Sequence, residues 1–342
     1  NQDKSRTFAF MDLSSQDLTQ HSAELEKNSS KVAVFCSARM NSGKYWELAK
    51  ALGAALESAG YTIITGAGPG LMEAVGEGAG QTIGLNINML NKQIPNSYVK
   101  ECLEFHNFSI RKAIFIKYAD AFVIIPGGLG TLDELFEALT LKDRGYIDAP
   151  IILLDKEFYS GLFEFLEKLE RAGFLRKPLK ELCVLVNSVD EVLRYFKLNK
   201  APVKQGKNNI DIKQVLDNLK GSLAELQGIE SAVGILGSHS LGENYPSYAQ
   251  AYNLARELSK RGRKILYRGC QGITEAVDKA IEAEKGVGIS FWVPDYEKIQ
   301  PVIGKRLVSL HRFAQKILLI THSRLGLIFF AGGIGTLDIL SD

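Results

Sequence analysis

The sequence predicts an α/β protein with a Rossmann-like, doubly wound parallel sheet, present as two tandem copies. Short apolar runs alternate with helical patterns along the chain, and these runs are almost continuously apolar. Such strands are typical of a parallel sheet that helices cover on both faces. The same order of runs and glycine turns occurs before residue 200 and again after residue 230. This repetition predicts an internal duplication.

Composition narrows the range of functions. The chain has 342 residues, 46% of them hydrophobic, which suggests about two domains with substantial cores. The net charge of +2 provides no global attraction to nucleic acid or to an anionic membrane. The four cysteines form no CxxC pair, and no apolar run reaches the roughly 18 residues of a membrane span. We expect a cytoplasmic protein with neither a nucleic-acid nor a membrane partner.

The chain is predicted to have four parts. Residues 1–30 form a polar arm, residues 31–196 the first domain, residues 197–229 a lysine-rich linker, and residues 230–342 the second domain. Within the linker, residues 210–226 fit an amphipathic helix.

The apolar runs and helical patterns give the expected elements of both domains. Strands of the first domain are predicted at 31–36, 61–65, 82–87, 102–105, 121–125, 150–154 and 182–186, and helices at 45–58, from 71, and at 110–118, 132–141, 158–171 and 190–196. In the second domain we predict strands at 232–236, 264–267 and 287–291, and helices at 248–260 and 311–320. The second copy runs only to its glycine motif, so we expect it to lack the elements at 150–196.

One motif organises the rest of the chain. The sequence PGGLGTLDE at 126–134 follows the apolar run 121–125 and opens a helix. Glycines let backbone N–H groups approach a ligand closely, and a helix N-terminus adds partial positive charge. The motif therefore predicts an anion-binding turn. It returns as AGGIGTLDI at 331–339, without the proline and the glutamate.

Other polar groups are expected at the same edge of the sheet. Ligands of a doubly wound sheet bind beyond the carboxyl ends of its strands. The turn that begins at Ser37, the glycine loop at 66–70 and the N-terminus of the helix that carries Arg111 should all reach that edge. A phosphate on the glycine turn would repel Glu134, so this carboxylate more plausibly addresses a sugar, where it would stabilise an oxocarbenium-like centre or activate water. The set suits a phosphorylated sugar.

These residues resemble a known family. The pattern Pro-Gly-Gly-x-Gly-Thr-x-x-Glu, preceded by Arg111-Lys112 and by the Gly-x-Gly-x-Gly-Leu-Met-Glu loop at 66–73, is similar to the "Lonely guy" family over residues 31–196. Members of that family are nucleoside 5′-monophosphate phosphoribohydrolases that release cytokinin or another base from ribose 5-phosphate, and many carry the older label lysine decarboxylase-like. The resemblance implies the same activity here.

The resemblance also implies a role for individual residues. Glu134 and Arg111 would be the catalytic pair, and the remaining residues would bind the substrate. The phosphate would lie on Gly127, Gly128, Gly130 and Thr131, the ribose and base would lie against Gly68, Gly70 and Glu73, and Lys112 and Ser37 would complete the substrate-binding set. The turn at 37–39 departs from the Cys-Gly-Ser-Ser form that is usual in the family, and Glu73 in place of a small residue is similar to its larger-assembly branch.

Each of these assignments has a structural alternative. Thr131 and Glu134 are spaced as a capping box, and the 66–70 loop fits a plain tight turn. Lys112 fits a salt bridge, and Glu73 a favourable first-turn charge. Cys36 and Cys270 are best interpreted as buried small residues, and His106 and His311 as packing residues, since no metal-ligand set surrounds them.

The second copy is predicted to have lost catalysis. It has Gly332, Gly333, Gly335 and Thr336 for an anion, but Ile339 replaces the glutamate and Lys316 aligns with Arg111. Because members of the family form dimers, the resemblance implies that the two copies make an internal pseudo-dimer, with further homo-oligomerisation possible.

Three functions compete at this point. The first is hydrolysis of the N-glycosidic bond of a nucleoside 5′-monophosphate, such as AMP or a cytokinin riboside monophosphate, with no metal or organic cofactor. The second is a nucleotide-binding sensor with the same fold. The third, a decarboxylase that uses pyridoxal phosphate, ranks last because no Schiff-base lysine with a pyridinium partner is recognisable.

Overall fold

A computed structural model gives the fold. It describes residues 23–27, 29–88, 93–199, 231–269, 271–292, 305–308 and 312–341, together with isolated positions between 217 and 229. Most of the predicted arm and linker, the predicted helix at 210–226, Cys270 and His311 lie outside the described residues. The chain divides into two compact units, Asn1–Ile210 with Ser341–Asp342 (unit 1) and Asp211–Leu340 (unit 2).

Unit 1 is built on a parallel sheet of seven strands in the order β4-β3-β2-β1-β5-β6-β7. The strands are β1 (Lys31–Phe35), β2 (Thr62–Thr65), β3 (Thr82–Ile87), β4 (Val99–Phe105), β5 (Ala121–Ile124), β6 (Ile151–Leu154) and β7 (Val184–Val186). The helices are α1 (Ala23–Glu26), α2 (Lys44–Ser58), α3 (Leu71–Ala79), α4 (Phe108–Tyr118), α5 (Leu129–Asp143), α6 (Lys156–Arg171), α7 (Leu179–Leu182) and α8 (Val189–Leu198).

Unit 2 is built on a parallel sheet of five strands in the order β11-β10-β9-β8-β12. Its strands are β8 (Ala232–Leu236), β9 (Lys264–Arg268), β10 (Gly288–Trp292), β11 (Lys305–Val308) and β12 (Gly326–Phe329), and its helices are α9 (Pro246–Lys260), α10 (Ile273–Ala283), α11 (Arg312–His322) and α12 (Ile334–Ser341). This order repeats that of the first five strands of unit 1. The doubly wound parallel fold is thus confirmed, whereas origin by duplication stays a prediction.

The sheet reverses its winding between β1 and β5, which creates the crevice for a ligand. β1 pairs with β2 on one side and with β5 on the other. All three strands are almost fully buried. At such a switch point the loops that follow neighbouring strands diverge to opposite faces of the sheet. The turn after β1 and the glycine motif after β5 therefore flank one crevice.

Most predicted boundaries agree with the structure to within two residues, but three differences are larger or change an element. The motif helix begins at Leu129 rather than 132, because Gly128 occupies the N-cap and its carbonyl accepts the first backbone hydrogen bonds. β4 begins at Val99 rather than 102, and residue 182 ends a short helix instead of starting a strand. The sequence analysis also missed β11. None of the helices among the described residues is long and apolar enough to cross a membrane.

Candidate active site

The glycine turn after β5 is open on one side and tightly packed on the other. A Cβ built on Gly127 would lie 2.1 Å from Thr131 Oγ1, so only glycine fits there. Gly128 and Gly130 are exposed, and a Cβ on either would meet nothing within 4 Å. Thr131 itself is buried. The turn therefore presents its open backbone at Gly128 and Gly130, with the N-terminus of α5 behind it, as an anion site requires.

Arg111 and Glu134 form a buried ion pair beside this turn. Arg111 Nη2 donates to Glu134 Oε1 over 2.9 Å, and the two side chains are 11% and 12% exposed. Arg111 Nε has no hydrogen-bond partner among the described residues, so the guanidinium keeps donor capacity for a bound anion. The proposed catalytic pair is thus brought together by α4 and α5, although its catalytic role stays a prediction.

Helix α4 fixes the position of Arg111. The Asn107 side chain caps the helix by accepting hydrogen bonds from Ser109 N and Ile110 N. The guanidinium carbon then lies 5.3 Å from the centroid of the Phe108 ring and 5.8 Å from that of Phe115, both within the range of a cation–π contact. Sequence analysis missed the cap and both rings, although an asparagine before an apolar helical pattern is a recognisable N-cap signal.

Burial changes the acidity of Glu134. Removal from water is the largest influence and raises the pKa of this carboxyl, the charge of Arg111 lowers it, and with the smaller opposing effects of Asp133 and Lys112 the net pKa is about 7. A carboxyl group with a pKa near neutrality exchanges protons readily at physiological pH, which suits acid–base work. The capping-box alternative for Glu134 is wrong, because the N-cap is Gly128 and the Glu134 side chain pairs with Arg111.

The glycine loop after β2 is a constrained structure. Ala67 has φ of 65°, a left-handed conformation that is unusual for a residue other than glycine. The side chain of Gln93 donates to the Gly66 carbonyl over 2.8 Å, and that of Asn96 donates to the Ala67 and Gly68 carbonyls over 3.1 and 2.8 Å. Sequence analysis did not single out Gln93 or Asn96. No local motif marks them, since they act through tertiary contacts.

Three predicted binding residues of this region have clear structural roles. A Cβ on Gly68 would lie 2.6 Å from Met72 Cε, and Gly70 has φ of 72°, where a Cβ would lie 2.7 Å from the backbone of Ala38. The carbonyl of Ser37 accepts from Leu71 N, and its hydroxyl accepts from Arg39 N. Gly68, Gly70 and Ser37 thus join the turn after β1 to the start of α3. Their contact with a substrate stays a prediction.

Glu73 lies in the first turn of α3 and is half-buried. Its charge there complements the helix dipole, as the structural alternative requires. Its predicted contact with the ribose or the base stays untested.

The Lys112 side chain is buried against two carboxylates of α5. Its ammonium lies 2.9 and 3.0 Å from the two carboxylate oxygens of Asp133 and 3.7 Å from Glu137 Oε2, and the side chain is 3% exposed. The salt bridge that the sequence left open as an alternative is therefore present. Direct contact of Lys112 with a substrate stays a prediction, and this burial gives it no support.

Unit 2 shows how the sequence alignment of the two halves must be corrected. Lys316 Nζ lies 2.7 Å from Asp338 Oδ1, the same pairing that Lys112 makes with Asp133. Lys316 thus corresponds to Lys112, and the expectation that it aligns with Arg111 is wrong. The two halves were misaligned because the connections between helix and following strand differ in length. The connection has two residues in unit 1 (119–120) and three in unit 2 (323–325).

The residue that corresponds to Arg111 is Gln315. It precedes Lys316 as Arg111 precedes Lys112, and its side-chain amide donates to the Phe291 carbonyl over 3.0 Å. Ile339 takes the place of the glutamate and is buried. The glycine turn is nevertheless the same, because a Cβ on Gly332 would lie 2.2 Å from Thr336 Oγ1. Unit 2 has the turn without the ion pair.

The positions of the potential metal ligands and the burial of the cysteine nearest the site bear on metal and thiol chemistry in the described part of the chain. Its His, Cys, Asp and Glu residues form no group of three or more that could hold a metal ion. Cys36, at the end of β1, is buried as predicted, and burial together with the nearby Glu134 charge raises the pKa of its thiol. A thiol that stays protonated is a poor nucleophile, so we interpret Cys36 as a packing residue.

The fold and the site together define a class, an α/β protein with an anion-binding glycine turn beside a buried carboxylate–guanidinium pair. Comparison with known proteins then gives the family. Residues 70–196 match a family model described as "possible lysine decarboxylase". Over 170 residues the chain is 35% identical to a cytokinin riboside 5′-monophosphate phosphoribohydrolase of Mycobacterium tuberculosis, a match that covers 48% of this chain and 91% of that protein. The chain belongs to this family, as its motifs indicated.

Two further similarities each cover about half of the chain. A cytokinin riboside 5′-monophosphate phosphoribohydrolase of Arabidopsis thaliana is 32% identical over 179 residues, which is 50% of this chain and 84% of that protein. Among solved structures, a molybdenum cofactor binding protein of Rippkaea orientalis is 21% identical, with a TM-score of 0.40, and the match covers 52% of this chain and all of the other.

Proposed function

We propose that unit 1 hydrolyses the N-glycosidic bond of a nucleoside 5′-monophosphate and releases the free base and ribose 5-phosphate. The observation that carries this proposal is the buried Arg111–Glu134 pair at the edge of an open glycine turn. The family supports it, because the similar proteins are named phosphoribohydrolases of a nucleoside monophosphate.

The substrate would bind with its phosphate on the turn. Gly128 and Gly130 leave room for the phosphate, Thr131 supports the turn from below, and the N-terminus of α5 supplies favourable charge. Arg111, with its remaining donor capacity, would contact the phosphate or a ribose hydroxyl. The carboxylate of Glu134 would then face the ribose.

In the reaction, the bond between the base nitrogen and the anomeric carbon breaks as water adds to that carbon. The ionised Glu134 stabilises the oxocarbenium-like transition state and takes a proton from the attacking water, and the leaving base acquires a proton in turn. Arg111 lowers the pKa of Glu134 and so favours the ionised form that this role needs. The chain's own residues thus supply both charge stabilisation and a base.

The proposed base preference rests on the names of the relatives rather than on the site. The named relatives act on cytokinin riboside 5′-monophosphates, which carry a modified adenine. We propose that the substrate is of this type or AMP itself, with the base on the side of the 66–70 loop.

A substrate panel tests the proposal. The full chain is incubated with AMP, with a cytokinin riboside monophosphate, with the other common nucleoside monophosphates and with adenosine, and free base and ribose 5-phosphate are measured. We expect base release from one or more of the monophosphates and at least about 100-fold less from adenosine, because the turn binds phosphate. Failure of every nucleotide to release its base would contradict the proposal.

For unit 2 a different function is favoured, nucleotide or phosphate binding without hydrolysis. The observation behind it is the shared turn at Gly332 and Thr336 beside Gln315 and Ile339, neither of which can replace a carboxylate. Equilibrium dialysis of a Glu134→Gln variant with radiolabelled AMP would count the bound nucleotides. Two per chain would support this assignment, and one would oppose it.

A further inference from the structure

Helices α4 and α5 are joined by two adjacent ion pairs. α4 contributes the neighbours Arg111 and Lys112, and α5 contributes the neighbours Asp133 and Glu134. Arg111 pairs with Glu134, and Lys112 pairs with Asp133. Successive residues of a helix point about 100° apart, so any rotation of either helix that breaks one pair also displaces the other.

The two pairs differ in burial and in their contacts. The Lys112 side chain is 3% exposed, less than a third of the value for Arg111, and its ammonium also lies 3.7 Å from Glu137, one turn further along α5. An ammonium held by carboxylates on two successive turns fixes both the rotation of α5 and its position along the axis. The Arg111–Glu134 pair, at the edge of the open turn, has no comparable second support from α5.

Unit 2 separates the two pairs. It has the Lys316–Asp338 pair, with side chains 2% and 0% exposed, but Gln315 and Ile339 stand where the second pair would be. The lysine–aspartate pair therefore forms without the arginine–glutamate pair beside it. Its role in joining the two helices does not depend on the chemistry of the site.

We infer that Lys112 and Asp133 are positioning residues, whose buried ion pair sets the rotation of α4 against α5 that brings Arg111 onto Glu134. The inference rests on the proposed function only for its effect on rate. A displacement of about 1 Å in a catalytic group can cost about 100-fold in rate, so this pair should control turnover without contacting the substrate.

The charges of the pair also act on Glu134. The groups that face its carboxyl are Arg111 and Lys112 from α4, Asp133 from its own helix and the Cys36 thiol at the end of β1. Loss of the positive charge of Lys112 raises the pKa of Glu134, and loss of the negative charge of Asp133 lowers it. The two single variants should therefore move the titration of Glu134 in opposite directions.

The test compares Lys112→Met and Asp133→Asn with Lys316→Met and Asp338→Asn in the full chain. We expect kcat to fall about 10- to 100-fold in the unit 1 variants with KM changed less than about threefold, and to stay native in the unit 2 variants. Glu134 is titrated by NMR of carbon-13-labelled glutamate side chains, with Glu134→Gln for assignment. The NMR titration reports on the Lys112–Asp133 pair even if the native protein hydrolyses none of the nucleotides. Failure of the proposed function would therefore be distinguishable from failure of this inference.

A fifth variant separates positioning from stability. In Lys112→Met/Asp133→Leu/Glu137→Gln the buried charges are replaced by uncharged side chains, so that no buried carboxylate is left without its ammonium, an exchange that is often neutral for stability. We expect this variant to unfold near the native temperature while kcat stays about 10-fold low, because apolar contact does not fix the rotation. Recovery of kcat along with stability would overturn the inference. An unchanged Glu134 titration in both single variants would do the same.

Discussion

Units 1 and 2 have the same glycine turn and the same lysine–aspartate pair, yet among the residues that the structure describes only unit 1 has a carboxylate–guanidinium pair beside the turn. Gly127 packs on Thr131 as Gly332 packs on Thr336, with the built Cβ at 2.1 and 2.2 Å from the threonine hydroxyl. The fold therefore forms the glycine turn with or without the ion pair beside it. The turn depends on backbone geometry, whereas the proposed chemistry depends on the side chains of Glu134 and Arg111.

The units also differ across the crevice, at the end of the second strand. In unit 1 that position is Gly66, where a Cβ would lie 3.4 Å from Arg111 Nη1. In unit 2 the matching position, four residues before the left-handed Gly272, is the buried Arg268. The residue at this strand end thus has no side chain beside Arg111 in unit 1 and a large, buried side chain in unit 2.

The largest effect is expected from Glu134→Gln. Glutamine keeps the size of the side chain but removes the charge and the proton acceptor, so we expect hydrolysis to fall about 1,000-fold. Release of free base from the preferred nucleotide measures it. The matched control is Glu157→Gln, which changes an exposed glutamate and should keep the native rate. Native turnover in Glu134→Gln would show that the two units do not differ in the way proposed.

The pH dependence of hydrolysis should report the protonation of Glu134. Glu134 has a pKa of about 7, and the proposed mechanism uses its ionised form, so kcat/KM should fall about tenfold per pH unit below 7 and about 100-fold by pH 5. Measurement of kcat/KM from pH 5 to 9 checks this. A flat profile between pH 5 and 7 would contradict the assignment.

The raised pKa also has a consequence for stability. Because the folded state holds the proton of Glu134 up to about pH 7 while the unfolded chain releases it near 4.5, the stabilisation from this group is complete below pH 4.5 and is lost as pH rises to 7. The shift corresponds to about 3 kcal/mol. The measurement is urea unfolding at pH 5 and pH 8, with Glu134→Gln as the reference. From pH 5 to pH 8, unit 1 of the native chain should lose free energy of unfolding relative to the variant, and unit 2 should show no such loss.

Glycine substitutions should separate packing from binding. In Gly127→Ala and Gly332→Ala the new methyl group meets a threonine, so each should destabilise its own unit by about 2 kcal/mol. In Gly130→Ala the methyl group meets nothing, so stability should be unchanged or slightly higher while the filled space weakens nucleotide binding. Thermal unfolding and isothermal titration with AMP measure the two quantities. Equal loss of stability in Gly127→Ala and Gly130→Ala would refute this distinction.

The sequence predicted the parallel sheet, the glycine turn and the meeting of Arg111 with Glu134, because each depends on local pattern plus the topology of parallel strands. It did not predict that Lys112 turns inward to Asp133 and Glu137, since the direction of a side chain depends on helix rotation. It also could not align Lys316 with Lys112. The connection before β12 has one extra residue, which shifts the alignment of the two halves by one position and has no local sequence signal.

The support of the loop at 66–70 shows the same limit. Gln93 and Asn96 hold its carbonyls from a segment 27 to 29 residues away in sequence, which no motif reveals. The raised pKa of Glu134 also depends on burial, a tertiary property. The sequence thus predicted the candidate site residues, but not the contacts that position them or the burial that raises the pKa of Glu134.

The smallest effect concerns the support of the glycine turn in unit 1. In both units a backbone N–H just before the turn donates to the first strand, from Ile125 to Phe35 and from Phe330 to Leu236. In unit 1 the Ile125 carbonyl also accepts from the buried Tyr159 hydroxyl over 2.8 Å. Tyr159→Phe leaves that carbonyl with less support, so we expect a loss of about 1 kcal/mol in stability and about threefold in kcat, measured by urea unfolding and base release. Tyr252→Phe in unit 2 is the control. A native kcat in Tyr159→Phe would mean that the turn keeps its shape through backbone contacts alone.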